Sequence, residues 1–292
     1  MLNIGVFAPY QTAHERNIAF CKDTDVHHIV HSAAALAQGT SDGVPRVNEL
    51  KQLATQYADE DVAITALTPP RISQAAFLGT EAREKELALL DRTMSAMGES
   101  GIPFLHLYLN VDPIEGGESE RSQLWTGLIS VYRELAQIAE DTGVLVSTHH
   151  YHVPNRLLWN YDTMHTLLDT LQSDRHGVTY CQGKSQMAGD TLVEDILNYG
   201  EQIFMFHIRD VVTKVSKNAS AEVQKRLQDI GYLEVAFGMG EVDMVGSIRA
   251  LKQINYQGQI YPEHFPSIAG DSAAGLAWTI GYIRALDLAV GV

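Results

Sequence analysis

Cysteine is scarce in this chain. Cys21 and Cys181 are the two in 292 residues; no Cys-x-x-Cys pair occurs, and His-x-x-x-His spacing occurs once, at His27 and His31 within an apolar run. Few thiols, far apart, read as a reduced cytoplasmic protein. Basic residues are in the minority, 21 Lys and Arg against 36 Asp and Glu, for a net charge of −15. That balance argues against a nucleic-acid partner, which would favour a basic face. It leaves room for a small anionic substrate, because one local site can be basic on an acidic protein. No apolar run approaches the roughly 20 residues of a membrane span. The start, Met1-Leu-Asn-Ile-Gly5, lacks the basic and long apolar regions of a signal peptide. The turn Ala8-Pro-Tyr-Gln-Thr12 lacks the Gly-rich phosphate fingerprint, which argues against a dinucleotide-binding domain. There is no repeat, linker or low-complexity tract. The remainder, 45% hydrophobic and 20% charged, is ordinary globular composition.

What is present is an alternation. Short apolar runs at 3–7, 26–30, 62–67, 104–109, 144–150, 177–181, 203–211 and 259–263 have strand length. Between them lie stretches with helical spacing, at 14–23, 44–57, 80–99, 118–142, 161–173, 190–199, 243–254 and 272–290. Thr80, Asp190 and Asp243 stand where N-caps belong, and Gly143, Gly200 and Gly258 where helices stop. Eight strand-helix units predict an α/β fold, a single eight-stranded (β/α) TIM barrel over residues 1–292. A doubly wound open sheet is the alternative. The connection 213–240 is the long one, with a helix expected around 221–230; it is read as a lid over the mouth, a surface excursion or a subunit contact.

Four of the runs share a design. Each is apolar along its length and ends in chemistry: His149 and His150 on the fifth, Cys181 on the sixth, His207 and Arg209 on the seventh, Glu263 and His264 on the eighth. A parallel barrel buries the strand body and gathers the strand tips at one mouth. Two imidazoles, a thiolate and a carboxylate meeting there form a site for a first-row divalent metal. Each residue also has a bland reading: Cys181 as a small buried hydrophobe, His207 as a satisfied core histidine. Among His149, His150 and His152 the choice of ligand stays open, since alternation puts His149 on one side and the other two on the opposite one. His27 and His28 are read as packing residues. Arg209 points to the same side as His207 and suits bidentate carboxylate binding, or a structural ion pair with Asp210 or Glu263. His31, His106, Tyr108 and Asn110 close strands two and four and are further candidates for the mouth.

These motifs resemble the mannonate dehydratase family of hexuronate breakdown, within the xylose-isomerase-like barrels. The carriers are Gly143-Val to His149, Cys181-Gln-Gly183, His207-Ile-Arg-Asp-Val211, Gly240-Glu-Val-Asp-Met244, Tyr261-Pro-Glu-His-Phe265 and the closing Gly281-Tyr-Ile-Arg-Ala-Leu286. The resemblance covers roughly 140–290 well and the first half loosely. It implies metal ligands at His149, Cys181, His207 and Glu263, and manganese as the metal, with iron, cobalt or zinc as other occupants. Where the family has Asp this chain has Glu263; where it has Arg before the proline, Tyr261; where it has a glycine after the histidine, Phe265; and His150-Tyr-His152 replaces an acidic Pro-Asp-Asp run.

The implied chemistry is dehydration of a sugar acid, D-mannonate to 2-keto-3-deoxy-gluconate in type. A base takes the proton beside the carboxylate and an acid protonates the leaving hydroxyl. On this reading Arg209 holds the carboxylate and His264 is the acid/base, with Tyr108 and His150 in reserve. The alternative keeps the metal and makes the protein a sugar isomerase or epimerase; a third reading is a non-catalytic sugar-binding barrel. The expected partner is a small sugar acid or sugar. A homo-oligomer is compatible with the sequence, which does not choose an oligomeric state.

Overall fold

The computed structural model describes residues 1–110, 112–215 and 219–291. Eight strands are β1 Asn3–Phe7, β2 His28–Ser32, β3 Ala63–Thr68, β4 Phe104–Leu107, β5 Leu145–His149, β6 His176–Cys181, β7 Ile203–Ile208 and β8 Gln259–Pro262. They close into a barrel in the order β1-β8-β7-β6-β5-β4-β3-β2. The registered pairs are parallel, for example Phe104↔Leu145 and Tyr261↔His207. The main helices are α1 His14–Asp23, α2 Val47–Ala58, α3 Glu81–Glu99, α4 Gly117–Thr142, α5 Tyr161–Leu171, α6 Leu192–Tyr199, α7 Ala221–Ile230, α8 Met244–Gln253 and α9 Ser272–Val290. Each sits between strands or after the last one, α7 being an extra helix in the seventh connection. The α/β barrel expected from the eightfold alternation is the fold observed.

The chain packs as two compact units, Gly5–Thr179 and Met1–Ile4 with Tyr180–Val292, and strands β1 and β6 contribute to both. In Gly5–Thr179 the strand bodies are fully buried at Val6, Ile29, Ala66, Leu67, Leu105, Val146 and Val178. Strands covered on both faces need no polar alternation, which is why the runs read as continuous apolar stretches. Helix α4 buries Leu124, Leu128, Val131, Leu135 and Ala139 on one stripe, and Gly143 ends it in the left-handed region at φ 72°. In the other unit Met205, Phe206, Ile208 and Ile260 are buried with Ile248, Leu251, Leu276, Ile280 and Ile283 of α8 and α9.

Several expected boundaries move. The run 104–109 leaves the barrel at Tyr108, and Leu109–Asn110 pairs instead with Ile72–Ser73 in a small parallel ribbon. Asp190 does not cap α6. A helix the sequence reading passed over, Gln182–Ala188, precedes it and ends at Gly189 (φ 84°); the Asp190 N–H closes that end on the Ser185 carbonyl, and Thr191 becomes the cap residue of α6. Thr80 and Asp243 do cap, accepting from the N–H groups of Ala82 and Gly246. His27 is not a packing residue: it is exposed, bonds to the Asp61 carbonyl and pairs with Asp25 and Asp61. Helix α9, expected from its spacing, is long and apolar enough to cross a membrane by length and composition, against the expectation that no run approaches a span. Its Asp287 is buried and pairs with Lys252 and the Leu2 N–H, which ties the helix to this unit.

Two buried histidines weaken the fold in acid. Burial pushes His176 down to about 4, and burial together with the charge of His14 pushes His31 down to about 3. Above the ordinary histidine value of 6.5 both states are neutral and the fold loses nothing. Below it the unfolded chain takes up protons that the folded chain refuses, so stability falls as pH drops from 6.5 toward 4. At about 1.4 kcal/mol per pKa unit, His176 alone accounts for roughly 3 kcal/mol across that window. Thermal melts from pH 7 to pH 4 are expected to show a steep drop in Tm, and His176→Phe, set against Tyr132, is expected to flatten it. Parallel Tm–pH curves for the two proteins would refute the assignment.

Candidate metal centre

In the unit Met1–Ile4 with Tyr180–Val292, three strand tips come together. Cys181 ends β6, His207 is the penultimate residue of β7, and Glu263 follows the end of β8. The register pairs Tyr261 with His207, and the Glu263 N–H donates to the Ile208 carbonyl at 3.0 Å, so Glu263 is aligned by the sheet itself. The Cys181 thiol donates to Glu263 Oε1 at 3.0 Å, and His207 Nδ1 lies 3.2 Å from Glu263 Oε2. Burial first, then the Glu263 charge, push the Cys181 thiol up to about 12. A coordinated divalent ion reverses that balance, because a thiol bound to it ionises outright.

In Gly5–Thr179, His149 ends β5 and is buried. Its Nδ1–H donates to the His150 carbonyl at 2.7 Å, which leaves the lone pair on Nε2. A metal-binding imidazole is oriented in this way, with the far nitrogen fixed by a backbone acceptor. Tyr108 stacks on the His149 ring at 4.6 Å and 27°, and His150 at 5.7 Å and 22°. His150 gives its own Nδ1–H to the Tyr151 carbonyl at 2.8 Å. His106 bonds Thr68, while His31 bonds Tyr57 and stands with His14 instead. The side chain of Asn110 lies outside the described residues.

One ligand atom from each of His149, Cys181, His207 and Glu263 lies within 4.8 Å of the others, and all but the partly exposed Glu263 are buried. Tetrahedral ligand atoms about 2.0–2.3 Å from a common ion stand about 3.3–3.8 Å apart, so the widest pair of the group closes on a metal with a contraction of about 1–1.5 Å. Its donor set, two imidazoles, a thiolate and a carboxylate, suits a first-row divalent ion. The group can hold a metal. Of the three neighbouring histidines, His149 is the one that belongs to this group.

Arg209 is fully buried beside this group, with Nη1 3.1 Å from Glu234 and Nε 3.7 Å from Glu263. Burial opposes its charge, and Cys181, Glu263 and Glu234 outweigh burial and raise its pKa. His264 is half-exposed, in the left-handed region at φ 52°, with Nδ1 2.9 Å from Glu234 and Nε2 3.8 Å from Glu263. Glu234, which joins Arg209 to His264, was missed by the sequence reading. It sits in the three-residue strand Leu233–Val235, too short for a periodic signal, which pairs antiparallel with Asp210–Val212. The 213–240 connection, where described, thus returns to the tip of β7.

Asp210 explains that return. Its buried carboxylate accepts from the N–H groups of Gly238, Gly240, Val211 and Val242, at 2.8 to 3.3 Å. A Cβ on Gly240 would meet Asp210 Oδ1 at 1.9 Å, so the turn needs glycine for close approach. Hydrogen bonds to a charged acceptor are worth roughly 1.5–3 kcal/mol each. Asp210→Ala is therefore expected to free residues 233–242, seen as new cleavage there in limited proteolysis and a fall in Tm of several degrees. An unchanged digest would show that the turn is held by something else.

Comparison with known proteins follows this geometry. The chain is 25% identical over 208 residues to mannonate dehydratase 2 of Halalkalibacterium halodurans, a match covering 66% of this chain and 57% of that protein. The chain thus spans about half the length of the curated relatives it matches. The mannonate dehydratase structure from Streptococcus suis serotype 2 superposes with a TM-score of 0.79 at 16% identity, over 99% of this chain and 93% of the other. The D-allulose 3-epimerase structure from Methylomonas sp. superposes with a TM-score of 0.70 at 17% identity, over 98% of each chain. Both likenesses are of fold. A family model described as xylose isomerase-like TIM barrel matches residues 34–286, and the chain belongs to that family.

Proposed function

We propose that this chain is a divalent-metal-dependent hydro-lyase that dehydrates a sugar acid of the mannonate type, acting as one catalytic domain with manganese as its metal. The observation that carries the reading is the four-ligand group of His149, Cys181, His207 and Glu263 within 4.8 Å, in a chain whose curated relatives include mannonate dehydratases. A metal held there would supply Lewis-acid stabilisation of the charge that develops when the proton beside a carboxylate is removed. The protein supplies the rest. His264 is the acid/base: it is half-exposed, so its proton exchanges with solvent, Glu234 orients its Nδ1 at 2.9 Å, and its Nε2 faces Glu263 at 3.8 Å. Tyr108 and His150 flank His149 and are the reserve proton donors. Arg209, committed to Glu234 and Glu263, holds Glu263 in place and offsets its charge.

A second reading, a sugar epimerase or isomerase, draws on one observation. Arg209 is buried and its charge is matched, so it does not provide an open carboxylate clamp, which a neutral sugar would not need. The test is to load the protein with manganese and assay hexonic acids for a 2-keto-3-deoxy product and hexoses for isomeric ketoses. A 2-keto-3-deoxy acid from one of the hexonates supports the hydro-lyase. Turnover of neutral sugars with none of the acids replaces it by the second reading.

A further inference from the structure

On the reading just proposed, the substrate carries a carboxylate, and the cation that binds it has to be reachable and not already neutralised. Arg209 is neither: it is fully buried between Glu234 and Glu263. Within Gly5–Thr179 another arginine meets both conditions. Arg71 is exposed, and among the described residues no Asp or Glu pairs with it. Its guanidinium carbon lies 5.4 Å from the centroid of the Tyr108 ring, and that ring is the one stacked on His149 at 4.6 Å. The two legs bound the distance from the guanidinium to the His149 imidazole at about 10 Å. A six-carbon acid built from C–C bonds of about 1.5 Å spans roughly 6–8 Å, which lets one molecule reach both.

The backbone holds this placement. Strand β3 ends at Thr68, and Pro69 and Pro70 restrict the next two φ angles. Ile72–Ser73 then pairs with Leu109–Asn110, and the Ile72 N–H bonds the Tyr108 carbonyl at 3.3 Å. Arg71 and Tyr108 are therefore neighbours by register. A guanidinium that stacks face-on against a ring uses its π-face, and its five in-plane N–H donors remain available for a bidentate carboxylate. We infer that Arg71, presented by Tyr108, is the specificity residue that binds the carboxylate of the substrate beside the metal group.

The test compares wild type, Arg71→Gln and Arg71→Lys in the manganese-loaded protein. Kinetics use the hexonate that wild type dehydrates; calorimetric binding uses D-gluconate, with D-sorbitol as the uncharged control. A charge-assisted interaction of roughly 1.5–3 kcal/mol converts to a KM increase of about 10- to 100-fold for Arg71→Gln, with kcat within about threefold. Arg71→Lys is expected to recover part of the loss, having the charge without the fork. Gluconate binding should weaken in parallel and sorbitol binding should not change. Stacking as a surface cation–π contact only would leave KM and gluconate binding as in wild type, and that result overturns the inference. So would equal losses for gluconate and sorbitol, or no gluconate binding by wild type. If no hexonate is dehydrated, the hydro-lyase reading fails; gluconate binding that still depends on Arg71 then supports the anion site on its own.

Discussion

Purified His207→Ala and Cys181→Ser are expected to lose the metal that the wild type retains, and with it at least about 10³-fold in activity. Each substitution removes one of four ligand atoms from a group within 4.8 Å, which lowers the affinity enough for the metal to be lost on purification. Losing a single donor that stabilises transition-state charge already costs about 10²–10³-fold in other enzymes, and here the whole ion leaves. Wild type is expected to hold close to one manganese, iron, cobalt or zinc per chain by elemental mass spectrometry. A second readout is independent of activity. Added manganese should raise the Tm of the wild type, because a ligand that binds the folded state stabilises it by mass action, and should leave both variants unmoved. Metal retained by both variants, or none in the wild type after reconstitution, would sink the four-ligand site.

Much of this site was legible before any coordinates, and the reason is geometric. A parallel barrel converts a one-dimensional feature, a polar residue at the end of an apolar run, into a three-dimensional one, because the strand tips share a mouth. Cys181, His207 and Glu263 could be placed together without knowing a single distance, and α1 and α9 have the bounds that their spacing predicted. The partners of the site were not legible in the same way. Glu234 and Arg71 lie in two- and three-residue ribbons or next to them, where no period can build up. Their positions follow from hydrogen bonds between segments distant in sequence, such as Ile72 to Tyr108. Sequence spacing offers an ion pair of Arg209 with Glu263, which the structure has at 3.7 Å, but not the second carboxylate. It placed Arg209 on the side of His207, but the carboxylate that neutralises it, Glu234, arrives from 25 residues away.

Gly183→Ala is expected to cost about 100-fold in kcat/KM while keeping the metal. The substitution looks harmless locally. Gly183 lies in the first turn of the helix Gln182–Ala188, where alanine is favoured over glycine by up to about 1 kcal/mol. Packing decides the outcome against it. A Cβ there would lie 2.6 Å from Arg209 Cγ and 2.7 Å from Arg209 Nε. Arg209 has no room to withdraw, being fully buried and held by Glu234 and Glu263. Overpacking of this kind costs about 1–3 kcal/mol, more than the helix gains, so Tm should fall by several degrees. The catalytic cost is larger than the stability cost, because Arg209 must shift relative to Glu263, and a misplacement of about 1 Å near the chemistry is worth about 10²-fold. The cause can be isolated in a double-mutant cycle. With Arg209→Ala already in place the three atoms nearest the added methyl group are gone, and Gly183→Ala should then reduce activity by no more than about twofold further. If Gly183→Ala costs as much in that background as in the wild type, the Cys181-Gln-Gly183 motif serves something other than room for Arg209.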